Sequence, residues 1–165
     1  MAYQTYSITM ANVTVVADAT LIIVRAATAL SSRASRLEVD RIAVSQSGTT
    51  TSQQLGIIIA QKASAFGTYV SATPSPLDMG TVASAIAGST SNAASSCGVN
   101  ASVEGAGTVT NIFSEGFNNL NGYLWVPTPE ERIIIEPDLS FIVKLRGTPT
   151  TLTGWNANLT FRELN

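Results

Sequence analysis

Two runs near the C-terminus alternate apolar and polar residues with a period of two, and this periodicity restricts the chain to β structure more than any other feature. Leu139, Phe141, Val143 and Leu145 alternate with Ser140, Ile142, Lys144 and Arg146; Trp155, Ala157, Leu159 and Phe161 alternate with Asn156, Asn158, Thr160 and Arg162. Successive side chains of an extended chain point to opposite faces, so each run reads as a strand with one largely apolar face. The segment from Gly147 to Gly154, rich in Gly, Pro and Thr, reads as the loop that joins them.

Strand signals continue upstream. Tyr6, Ile8 and Met10 alternate with Ser7 and Thr9, and Leu21 to Val24 is a continuous apolar run of the kind buried on both faces. Leu37 and Val39 face one way, whereas Ile42 and Val44 are out of phase with them by one residue. Such a slip either ends a strand or marks a β-bulge near Asp40 and Arg41. Leu55 to Ala60 reads as a central strand, followed by Val109 to Phe117, Tyr123 to Val126 and Ile133 to Ile135. Turn formers such as Asn121-Gly122, Pro127-Thr128-Pro129 and Pro137-Asp138 separate these runs. Strands at this spacing, without amphipathic helices between them, predict an all-β antiparallel sandwich or barrel with long loops. The length of 165 residues suits a single domain.

The middle, from Ala63 to Gly107, differs in kind: it is rich in Ala, Ser, Thr and Gly. It reads either as a long surface loop or as an arm that orders on a neighbouring subunit, because loops of this length within a domain usually have a function or lack fixed structure. Thr81 to Ile86 has the composition for a turn or two of helix. Residues 1 to about 10 read as an N-terminal arm, and Ser31 to Arg36 as a polar loop or a single helical turn.

Chemistry is sparse. There is no histidine, which removes the usual general base near neutral pH and the commonest metal ligand. Cys97 is the only cysteine, so neither an internal disulfide nor a Cys-based zinc site can form, and its small neighbours predict a buried or semi-buried thiol. Glu130 and Glu131 are adjacent in a Pro-rich turn; a catalytic carboxylate pair needs the two groups across a cleft. They read as a solvated turn with Arg132 as a nearby counter-charge. Glu38, Asp40 and Arg41 read as a polar outer face or an ion pair at a subunit boundary. No phosphate-cradling loop is present. Asn12, Asn100 and Asn158 begin glycosylation triplets, read as chance matches since no secretory leader is recognised. Trp125, Trp155, Phe141 and Phe161 are expected to fill the core; a carbohydrate platform would need aromatics exposed on one face. The expectation is no catalytic residue, no cofactor, no metal and no enzymatic activity.

Charged residues are 12% of the chain and the net charge is −2, against about a quarter charged in an average soluble domain. Hydration must come from Ser, Thr, Asn and Gln, a surface suited to wide contact with partners. The cations are scattered, which argues against nucleic acid as a partner, and no run is long enough to span a bilayer as a helix.

The C-terminal third also carries a resemblance. An aromatic strand (Tyr123 to Trp125), a P-T-P-E-E-R turn (Pro127 to Arg132), an I-x-P strand start (Ile135 to Pro137) and a closing F-x-E (Phe161 to Glu163) follow one another. With Val44 to Gly48 and Pro74 to Gly80, they resemble the jelly-roll capsid cement, or decoration, proteins of tailed bacteriophages. The resemblance implies a jelly roll, a homotrimer, a place on the outer surface of the virion capsid, and the major capsid protein of the same phage as partner. It supplies no catalytic residues. The alternative is a jelly-roll module of a tail or fibre that binds a host surface glycan. Candidate interface residues, taken from the arm and loop regions, are Tyr3, Tyr6, Arg33, Arg36, Phe66, Tyr69, Leu77, Met79 and Ile86.

Overall fold

The computed structural model describes residues 4–26, 36–63, 66–77 and 96–164. In chain order the strands are β1 (Gln4–Val13), β2 (Thr20–Arg25), β3 (Arg36–Gln46), β4 (Gln54–Lys62), β5 (Thr68–Ser71), β6 (Ser75–Pro76), β7 (Ser96–Val103), β8 (Val109–Asn118), β9 (Tyr123–Trp125), β10 (Ile133–Ile135), β11 (Ser140–Arg146) and β12 (Trp155–Leu164). The described helical structure is one 3-10 turn, Pro129–Glu131.

The strands form two six-stranded antiparallel sheets. The first runs β10-β3-β12-β1-β6, with β9 also on β3; the second runs β5-β7-β2-β11-β4-β8. The pairing is nested: β1 with β12, β2 with β11, β3 with β9 and β10, and β4 with β8. Joining β12 to β3 and β11 to β4 then completes each sheet. This is the strand order of a jelly roll, a double-sheet sandwich, and the expected fold class is therefore what the chain adopts.

The sheets meet over an apolar core. Along β12, Trp155, Ala157, Leu159, Phe161 and Glu163 are buried while the residues between them are half-exposed, which matches the sequence alternation. The phase slip near Asp40 is a bulge: Thr160 pairs with Arg41 but Phe161 pairs with Val39, leaving Asp40 without an opposite number. That extra residue lets Leu37 and Val39 join Ile42 and Val44 in one core.

Three expectations need correction. Residues 4 to 10 are no arm: they belong to β1, which lies between β12 and β6. The cause is the burial of Tyr6, Ile8 and Met10. The segment 63–107 is not wholly a loop, because it supplies β5, β6 and β7, which extend the β2 edge of one sheet and the β1 edge of the other. Its small residues weaken the strand signal: the buried apolar side chains of β7 are only Cys97, Val99 and Ala101, and β5 has only half-buried Tyr69. Its predicted helix, 81–86, lies outside the described residues. Finally, β11 is buried on both faces. Phe141, Val143 and Leu145 enter the main core, while Ile142 joins a second cluster with Ile23, Ala60, Ala101 and Phe66 on the far face of the sheet.

Candidate functional site

The expected contact residues scatter. Tyr3, Arg33, Met79 and Ile86 lie outside the described residues. Tyr6 is fully buried and stacks on Phe161, with ring centroids 5.8 Å apart, so it is a core residue and not an anchor for a partner. Phe66 is likewise buried, against the second sheet. Tyr69 is half-buried over Gly98, where a Cβ would overlap its ring. Arg36 opens β3 on the surface and pairs with Glu136 at 2.8 Å. Leu77 is exposed just after β6. Among the described residues, Phe66 and Tyr69 share the second cluster, and no single exposed patch unites them with Tyr6, Arg36 and Leu77.

Charged groups are largely used within the fold. On the outer face of the first sheet, Arg132 pairs with Glu38 at 2.8 Å and with Asp40 at 3.4 Å. Arg162 meets Asp40 at 2.6 Å and Glu38 at 3.6 Å. Arg132 therefore answers Glu38 and Asp40, not Glu130 or Glu131, which are exposed on the 3-10 turn. Arg41 is exposed and outside this network.

A second polar cluster fastens the 63–107 segment to the far face of the second sheet. Glu104, just past β7, accepts hydrogen bonds from Thr20 at 2.8 Å and Lys144 at 2.6 Å. The ammonium of buried Lys62 donates to the Glu104 carbonyl and lies 4.5 Å from the centre of the Phe66 ring. Burial lowers the Lys62 pKa, opposed by the Glu104 charge. Burial alone would raise Glu104, but hydrogen bonds from Lys144 and Thr20 and the charges of both lysines hold its carboxyl below the ordinary value. Each charge has a partner here, so the cluster acts as a clasp. Cys97 is buried in the main core, and burial followed by the Glu163 charge pushes its thiol well above the usual range. Among the described residues, no three potential metal ligands come together.

The surface the sequence did not single out is the β8–β10 edge. β8 closes the second sheet, and no described strand pairs with its outer side. Six of its ten residues are exposed and three half-buried, on an edge free of Pro and Lys, with Glu115 its only charge. Ile112 on β8 and Ile134 on β10, which line one cleft, are exposed by 42 and 48%; Leu124 in β9 and Val126 just after it, each 63% exposed, belong to the first sheet, with Leu124 on its outer face. Trp125, expected in the core, is only partly buried and lies 5.5 Å from Phe113, centre to centre, under this edge. Every described Trp, Tyr and Phe is buried or half-buried. The available signal was the weak alternation of Val109 to Asn118, which lacks the apolar face of an inner strand.

A trough of about 480 Å³ opens on the far face of the second sheet, where β4, β8 and the end of β11 meet. Its floor is Gly56, paired with Gly116. The stem of Arg146 lies across Gly56, close enough that an added Cβ would meet its Cβ at 3.0 Å. At Gly116 an added Cβ would find only the Leu55 carbonyl, at 3.8 Å.

Comparison of the chain with protein-family models, curated proteins and solved structures finds no match.

Proposed function

We propose that this protein is a virion structural protein: a decoration protein that seats on the outer surface of a phage capsid as a homotrimer and bridges major capsid proteins. The observation that carries this reading is the β8–β10 edge. A jelly roll that exposes Ile112 and Ile134 at a strand edge that no described strand pairs has a surface suited to a protein partner. The C-terminal resemblance supplies the class of partner. Function then follows from mass action. A protein that binds only the assembled shell stabilises it by RT ln(1 + [L]/Kd) per site, about 2.7 kcal/mol at a hundredfold excess over Kd. Contact with several capsomers adds avidity through effective concentration.

Stoichiometric binding to purified shells tests the reading, with cryo-electron microscopy to locate the protein. Density in a tail alone would replace it with the fibre alternative. That alternative has the weaker support, because the described aromatics are covered and offer no ready sugar-stacking platform.

A further inference from the structure

The outer edge of β8, which no described strand pairs, carries a different feature on each face of its sheet. The first is made by a bulge. Phe113 pairs with Ile59 and Asn111 pairs with Ala60, so Ile112 is the extra residue. Ile112 caps a narrow cleft with Ile133, Ile134, Leu139 and Phe141, between the edges of the two sheets; the cleft has room for about one water, so Ile112 itself, 42% exposed, is the apolar surface offered there. A bulge re-aims a side chain in this way. The second feature is the trough over Gly56 and Gly116. Its cation is Arg146, which is exposed and takes part in none of the ion pairs found among the described residues. Glu115 does not neutralise it there. Glu115 pairs with Ile57, whose side chain is in the core, so Glu115 points to the opposite face from the trough.

Unpaired backbone donors and acceptors along an edge match an extended chain, and recesses at alternate positions select its side chains. We propose that β8 is the acceptor edge for an extended segment of a partner protein. The segment adds as an outer strand of the second sheet. It lays an aliphatic side chain on the exposed Ile112, and a carboxylate over Gly116 against Arg146. Ile112 lies two to four residues from the Ser114–Gly116 stretch, roughly 7 to 14 Å at the rise of a β-strand. Ile112 and the trough are on opposite faces, so the two side chains of the partner are an odd number of positions apart, three being the best fit. This deepens the proposed attachment by naming its surface, yet it holds for any partner with such a segment.

The test needs no capsid. The full chain is screened against a positional-scanning library of proline-free peptides of about twelve residues, longer than a typical strand. Selected peptides should carry an aliphatic and an acidic residue three apart, and binding should slow amide hydrogen exchange at residues 109–118. Arg146→Glu should weaken the acidic peptides by roughly tenfold to a hundredfold, the range for a charge-assisted hydrogen bond. Replacing the acid in the peptide by lysine should restore binding to that variant. Ile112→Lys should weaken both peptides. Both variants alter exposed side chains, and unchanged thermal midpoints establish that they fold. The proposal is overturned if no peptide binds below about 1 mM, if protection appears on another edge, or if Arg146→Glu binds acidic peptides unchanged. Self-association through β8 in the protein alone would also overturn it. Failure to bind shells would count against the decoration reading and leave the peptide result standing.

Discussion

Glu104 shows how much one side chain can hold. It ties β2, β4 and β11 to the chain leaving β7 through Thr20, Lys62 and Lys144. Its folded pKa is depressed below the ordinary 4.5. The stability it contributes is therefore present above the unfolded value and is lost as pH falls through the folded value. Glu104→Gln should lower stability at pH 7 by about 1–2 kcal/mol and flatten the acid limb of a plot of urea-derived stability against pH. Gly98 makes a complementary case. A methyl group there would overlap the Tyr69 ring, so Gly98→Ala should cost about 1–3 kcal/mol by overpacking, seen as a lower urea midpoint. Neither role is legible in the sequence. Glu104 stands in a Gly-rich stretch with no pattern, and its partners are 40 to 84 residues away.

At the scale of elements, the decisive feature is the bulge in β3. Side chains alternate with a period of two, so one inserted or removed residue exchanges the faces of everything beyond it. Asp40 is the inserted residue. Deleting it should expose Leu37 and Val39 or Ile42 and Val44. The expected result is loss of the cooperative unfolding transition, read by circular dichroism against urea. Substitution by Ser, which keeps the residue count, should remove the ion pairs with Arg132 and Arg162 but retain the fold. The slip was visible in the sequence because both apolar pairs are strong. Strands β5 and β7 were not visible, because β5 is short and the alternation of Cys97, Val99, Ala101 and Val103 in β7 is made of small residues within a Ser- and Ala-rich stretch; the edges of β2 and β7 gave them somewhere to pair.

For the whole molecule, the balance of internal charge sets the expected behaviour. Most described cations are paired within the chain, and attachment through aliphatic residues, backbone edges and the single proposed ion pair at Arg146 depends only modestly on screening. Shell binding should therefore change less than about tenfold between low and high salt, measured by co-sedimentation. Sedimentation equilibrium of the isolated protein should give a trimer; a monomer at high concentration would remove the trimeric part of the proposal. A large salt dependence would point instead to the exposed charges, Glu130, Glu131 and Arg41.

Period-two alternation by itself determined the class of fold and the strands of the core, because burial on one face of an extended chain leaves its mark in every second residue. Trp155 to Phe161 could be placed on that ground alone. Tertiary structure decided which strand is an edge and which loop becomes a strand. It also decided which recess lies beside which charge. Ile112, Ile134, Gly116 and Arg146 are ordinary strand residues in the sequence. Their proximity follows from sheet order and register, which depend on contacts between distant segments and not on any local preference.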